Sequence, residues 1–307
     1  MKSSSLIVCA SALAITLGSC SRTQTTANFD SAEATDAVVA AQDSLATEDL
    51  NKSKTILYTL PAPVEMASII KQTGVKFNDQ LLNDLSKSPK YTTNLKMGIN
   101  LGIYATDMSV SGMFEQSQRM VDYLNAIKDL TKRLGIMKVL DEAAIEKLDK
   151  SDISKQEALD VISQVYMNTN QYLTENNRRN IATIVMAGGW TEGLFLALNL
   201  VDPNKLNKSV VERIVAQKLT MTTMLNILDS MDPEGMDSDL VYLKSKMLEV
   251  KSIFDLVELT KVGRVSAITD PDTKTTTITA NIAGELNPDI LVALKQKVSE
   301  IRAEFVE

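Results

Sequence analysis

Apolar residues return with a helical period through most of the chain from Thr35 onward. Pro63 suits the first turn of a helix through Ile69 and Ile70, and Asn78 can cap a short helix through Leu85. Residues 91–110 and 113–134 predict two longer helices; in the second, Phe114, Val121, Leu124 and Ile127 share a face. Ser154 followed by Glu157 forms a capping box, and the helix behind it buries Leu159, Ile162, Val165 or Tyr166, and Leu173. Residues 181–201 come next, then the breaker "DPNKLNK", then a second capping box, Ser209 with Glu212, ahead of a helix to Met231. The following helix carries Leu240, Leu243, Met247, Val250, Phe254 and Val257 as an a/d seam. The seam is short of the three or four heptads usual between chains, so a contact inside one bundle is the simpler reading and pairing with another chain the alternative. After Gly263 the texture changes: "VSAIT" and "TTTITA" flank "DPDTK", which predicts a β-hairpin over residues 264–281. Asn287 as cap and Pro288 at the first position start a terminal helix over 287–306, with Leu291, Leu294, Val298 and Ile301 on one face. The pattern predicts an all-α fold, an antiparallel bundle or helical-repeat-like array, with one small β-hairpin near the C-terminus. Residues 58–307 form a single domain in this reading.

The stretch "IATIVMAGGWTEGLFLALNLV" at 181–201 admits three readings. A membrane span fits its length and its Gly-x-x-x-Gly motif, but Glu192 near the centre costs ~2.5–3.5 kcal/mol on insertion scales if it behaves like Asp. A phosphate cradle lacks the Lys-Ser/Thr and the G-x-G-x-x-G that such loops need. A packing helix explains most: glycines four apart make a flat stripe for another helix, with Trp190 and Phe195 at its sides. Gly98 and Gly102 in "MGINLG" repeat the spacing of Gly189 and Gly193 in "GGWTEG", where Gly188 adds a further small residue. The same offset places the helix of 113–134 on the one before Met231. A three-helix duplication, residues 62–135 on 154–231, would explain the match, although residue identity between the halves is negligible.

Composition narrows the chemistry. The chain has 307 residues, 44% hydrophobic and 23% charged, with a net charge of −7; a globular body follows, and nucleic acid is an unsuitable partner for so acidic a surface. Aromatic residues make up 5% and methionines number 14, which favours an aliphatic, helix-built core. There is no histidine, which removes imidazole catalysis and His-based metal sites. The two cysteines, Cys9 and Cys20, both precede the body, which therefore has no thiol nucleophile, disulfide or thiolate metal site. No cofactor is implied.

The first residues, "MKSSSLIVCASALAITLGSC", read as a signal: Lys2, then an apolar run from Leu6 to Leu17 too short to span a bilayer, then small residues. The quartet Leu17-Gly18-Ser19-Cys20 resembles a bacterial lipobox. That resemblance implies a signal peptide over 1–19, cleavage before Cys20, and acylation of Cys20 as the membrane anchor. Ser21 in place of an aspartate resembles the sorting signal for the outer membrane, and "SRTQTTANFD" carries no acidic surface-export run, so the expected location is the outer membrane, lipid-anchored and facing the periplasm. Residues 20–57 then serve as the lipidated tether, partly helical.

Acids supply the candidate sites. Glu192 is the only charge between Arg179 and Asp202, and Asp107 follows the other glycine pair. If the two glycine stripes face each other, Asp107, Asn100, Tyr104, Glu192 and Thr191 meet in one polar pocket, where two carboxylates with separated pKa values can do acid/base work. The plainer reading has each acid in solvent or satisfied by Arg178, Arg179 or a backbone group. The loop "DSMDPEGMDSD" offers Asp232, Glu234 and Asp237 as oxygen ligands for a metal, without EF-hand spacing; Asp237 as a helix cap and Pro233-Gly235 as a turn are the simpler roles.

In "LPAPVEMASIIKQTG", "KYTTNLKMGINLGIYATDMS" and "LTENNRRNIATIVMAGGWTEGLFLALNL", roughly residues 60–201, the chain resembles a group of uncharacterised, helix-rich lipoproteins of Bacteroidetes-type bacteria. The resemblance implies a lipid-anchored, periplasm-facing helical body and no particular catalytic residue. The expected function is a binding or scaffolding module of the envelope with a protein partner. An envelope-glycan hydrolase using Asp107 and Glu192, and a carrier of an apolar ligand, are the alternatives.

Overall fold

The structure, a computed structural model, describes residues 67, 70, 71, 74–140, 142–148, 154–200, 208–269 and 276–307. The signal segment, Cys20 and the tether lie outside the described residues, as do Pro63 and the "DPDTK" turn. The fold is all-α with one hairpin. Its helices are α1 (Asn94–Met113), α2 (Ser117–Arg133), α3 (Glu142–Leu148), α4 (Lys155–Glu175), α5 (Arg179–Leu200), α6 (Lys208–Met231), α7 (Ser238–Phe254) and α8 (Pro288–Val306). Strands β1 (Glu258–Thr269) and β2 (Thr276–Glu285) pair antiparallel between α7 and α8, with bulges between Leu259 and Lys261 and between Val262 and Val265. The ladder is longer than the predicted 264–281, because pairing continues past the Val262–Val265 bulge through Val262↔Ile282 to Glu258↔Glu285.

α5 is the centre of the molecule. Arg179–Asn199 is long and apolar enough to cross a membrane, but every residue from Ile181 to Leu198 is buried inside the protein, which agrees with a packing helix. α1 lies against it and runs in the same direction, with α2, α4 and α8 completing the surround of α1, and α4, α6, α7 and α8 that of α5. Trp190 is buried and donates from Nε1 to Gln217 Oε1 at 3.0 Å, joining α5 to α6. All six residues of the seam, Leu240 to Val257, are buried within this one chain. The seam is therefore a bundle contact. Asn287 caps α8 by accepting from the Asp289 N–H, Pro288 opens it, and Leu291, Leu294, Val298 and Ile301 are buried as the period predicts.

Several boundaries differ from the sequence reading. The short helix behind Asn78 is two 3₁₀ turns, Asp79–Leu81 and Leu85–Lys90, because Asp84 starts a second cap by accepting from the Ser86 N–H. α2 buries Met120, Tyr123, Leu124 and Ile127 while Val121 is half-buried, a rotation that carries a tyrosine inward where it finds a hydrogen-bond partner. Of the two alternatives in α4, Val165 is buried and Tyr166 is half-buried. The Ser154–Glu157 capping box is present; α6 begins at Lys208, so Ser209 falls inside its first turn.

Candidate functional site

The site begins with glycine. A methyl group at Gly102 would overlap the Val185 carbonyl oxygen, and one at Gly188 would overlap the Ile99 carbonyl oxygen. Gly98 faces Ile184, whose Cγ2 lies 2.7 Å from where a Cβ would stand, and Gly189 approaches Gly102 and Thr106. Thr106 closes the seam by donating to the Gly189 carbonyl at 3.1 Å. The close approach is reciprocal, Gly102 on Val185 and Gly188 on Ile99, and the glycine that Gly102 meets in space is Gly189, whereas the sequence offset paired it with Gly193. Gly193 is buried further along α5.

Because the two helices run parallel at backbone contact, the polar residues one turn beyond the glycines converge. Asp107 and Glu192 are both fully buried. The Asp107 carboxyl lies close enough to Glu192 to feel its charge, and its Oδ2 accepts the Asn83 backbone N–H at 2.9 Å. Its Oδ1 receives no donor from the described protein groups. Burial first, then the neighbouring Glu192 charge, hold the Asp107 carboxyl well above the usual carboxylate range, against the Asn83 N–H and Arg302, which favour ionisation.

Glu192 is closed by α8. Arg302 donates from Nε to Glu192 Oε2 at 2.9 Å and from Nη2 to Oε1 at 3.0 Å, a two-pronged pair. The same guanidinium reaches the Leu81 carbonyl at 3.3 Å and lies 4.7 Å over the Phe195 ring. The partner of Glu192 is thus Arg302, rather than Arg178 or Arg179 at the head of α5.

A second layer fixes these groups. Asn83, from the segment between the two 3₁₀ turns, donates through Nδ2 to Tyr91 Oη at 3.2 Å and to Asn100 Oδ1 at 3.0 Å, and its carbonyl accepts from Tyr123 at 2.9 Å. Asn100 donates to the Phe305 carbonyl at 2.8 Å and Tyr91 to the Val306 carbonyl at 3.3 Å, so side chains of the body cap the last turn of α8. Burial raises the phenols of Tyr91, Tyr104 and Tyr123, which stay neutral donors. Of the five residues expected to meet, Asp107, Asn100, Tyr104 and Glu192 belong to this cluster. Thr191 instead donates to Ala187 within α5. Arg302, Asn83, Tyr91 and Tyr123 were not anticipated. Nothing in "LLNDLSKS" or in the charged pattern of the terminal helix marks its one inward arginine.

The acidic loop is used by its own backbone. Asp232 accepts from the Met236 and Asp237 N–H groups, and Asp237 caps α7 by accepting from Asp239 and Leu240. Glu234 is exposed beside Gly235, which takes a φ of +67°. Among the described residues no group of three or more His, Cys, Asp or Glu is placed to hold a metal ion. Compared with protein-family models, curated proteins and solved structures, the chain matches none.

Proposed function

We propose that this protein is a lipid-anchored, periplasm-facing binding or scaffolding module of the bacterial envelope, held to the membrane through Cys20. The observation that carries the non-catalytic half of this reading is the bidentate Arg302–Glu192 pair with Glu192 at 0% exposure. A glycan-cleaving pair must meet its substrate, with carboxylates roughly 5–9.5 Å apart for the leaving group or water between them. Here both acids are fully buried and Glu192 is held on Arg302 of α8, so they serve the fold. The function then belongs to the surface of the helical body, which a tether would present to a partner. The anchor rests on the lipobox-like quartet before Cys20.

The test is purification of the full-length chain, tagged at the C-terminus, from detergent-solubilised envelope after cross-linking, beside a Cys20→Ala version. The expected result is incorporation of a fatty-acid label that depends on Cys20, with one envelope protein recovered in near-stoichiometric amount. Release of new reducing ends from envelope glycans by the purified chain, lost in Glu192→Gln, would establish the hydrolase instead.

A further inference from the structure

The cluster at the end of α8 holds two carboxyl groups and one guanidinium. Fully ionised, it would bury a net negative charge among Tyr91, Tyr104 and Tyr123; with one proton retained between the acids it is neutral. All three charged members come from different helices: Asp107 from α1, Glu192 from α5, Arg302 from α8. The remaining titratable groups facing them are the phenols of Tyr91, just after the second 3₁₀ turn, Tyr104 from α1 and Tyr123 from α2. Asp84, and the Arg119–Asp79 pair nearer the surface, act on those phenols from outside. α8 follows the hairpin in the chain, and lifting it would also part the Lys246–Glu304 and Lys297–Glu249 pairs that join it to α7.

We propose that Asp107, Glu192 and Arg302 form a proton-operated latch, in which one proton shared by the buried acid pair decides how firmly α8 is held against α1 and α5. With the proton in place, Asp107 donates to Glu192, Glu192 keeps both oxygens on Arg302, and the cluster is electrically balanced. Opening α8 hydrates Asp107, which then ionises like an ordinary surface carboxyl, and the proton leaves to water. The closed state therefore binds one proton more than the open state, and rising pH favours opening. The same motion uncaps the last turn of α8, because Asn100 and Tyr91 lose the Phe305 and Val306 carbonyls. Burial and the Glu192 charge support this sign, since both raise the affinity of Asp107 for its proton.

Amide hydrogen exchange of the full chain tests the latch, with rates corrected for their intrinsic pH dependence. Asp107→Asn is the informative variant: its amide can donate to Glu192 and accept from Asn83 at every pH, a latch fixed closed. Wild-type α8 amides should open at lower cost than those of α1 and α5, with an opening constant that rises by up to about tenfold per pH unit above the ordinary carboxyl range. Asp107→Asn should hold that constant flat. An unchanged slope in Asp107→Asn, a flat wild type, or α8 exchanging only together with α1 and α5 overturns the proposal. Should Asp107→Asn fail to fold, side-chain carboxyl resonances of wild type decide: an Asp107 signal that titrates in the ordinary range removes the proton on which the latch depends.

Discussion

At the residue scale the molecule turns on positions where one atom more is too many or one charge fewer is too few. Gly102 is the first kind. An alanine there would drive Cβ into the Val185 carbonyl, a backbone atom that can move only if α1 and α5 part. Gly102→Ala should therefore cost about 3 kcal/mol or more, the upper end of overpacking. Gly112→Ala is the control in the same helix: its Cβ would meet Met120 Sδ at 3.4 Å and Leu159 at 3.7 Å, ordinary contact, and alanine is the better helix former by about 0.5–1 kcal/mol. Urea unfolding of both variants should give opposite signs; equal losses would show that the glycine seam is not tight. Arg302 is the second kind. Arg302→Met leaves Glu192 buried without its cation and should lose about 3–5 kcal/mol, whereas Arg302→Met with Glu192→Met should recover most of it, because a desolvated ion pair is worth little more than apolar packing. A double variant no more stable than the single would mean the pair contributes beyond charge balance.

At the element scale the helices were legible because amphipathic period survives tertiary packing, and their ends were less so. The seam of α7 and the inward face of α8 follow from spacing alone, and so does the capping box of α4. The corners do not. Glu115 at φ 61° after α1 and Asn177 at φ 56° after α4 take the left-handed conformation without being glycine, and Gly135 takes it at φ 69° after α2. Each is followed by a residue whose N–H reaches back to the helix: Gln116 to Ser111, Ile136 to Thr131, Arg178 to Leu173. Three corners thus use one C-cap device, which residue type announces only at Gly135. Gly135→Ala should cost about 1–2 kcal/mol through backbone conformation alone, since the nearest atom to its Cβ is Arg178 Nη1 at 3.9 Å. A thermal midpoint equal to wild type would contradict that account. The direct approach of α1 to α5 was readable from the Gly-x-x-x-Gly spacing, but its register was not, since a period of four fits more than one offset.

At the scale of the whole molecule the candidate site shows where sequence reading stops. Asp107 and Glu192 stood out because each is a lone acid in an apolar run, and their meeting follows from the glycines. Arg302 did not stand out, because an arginine in an otherwise polar, charged terminal helix looks like every other solvated cation until α8 is docked. That docking, made across the longest sequence separations in the site, couples the whole fold to pH. Unfolded, Asp107 has an ordinary carboxyl, near 3.9. Folded, burial and Glu192 keep its proton bound well above that range. Below about pH 4 both states carry the proton and this contribution to stability is fully present. As pH rises the unfolded chain releases the proton first, so stability declines through the window up to the folded carboxyl's own titration, by at most about 1.4 kcal/mol per pH unit. The window from pH 5.5 to 8 is well suited to seeing this, because the chain has no histidine to titrate there. Urea midpoints across that range should fall for wild type and stay level for Asp107→Asn, so that the variant gains on wild type with each step upward in pH. A constant difference between the two chains would mean that Asp107 is ionised in the folded protein, and that Arg302 neutralises two carboxylates rather than one.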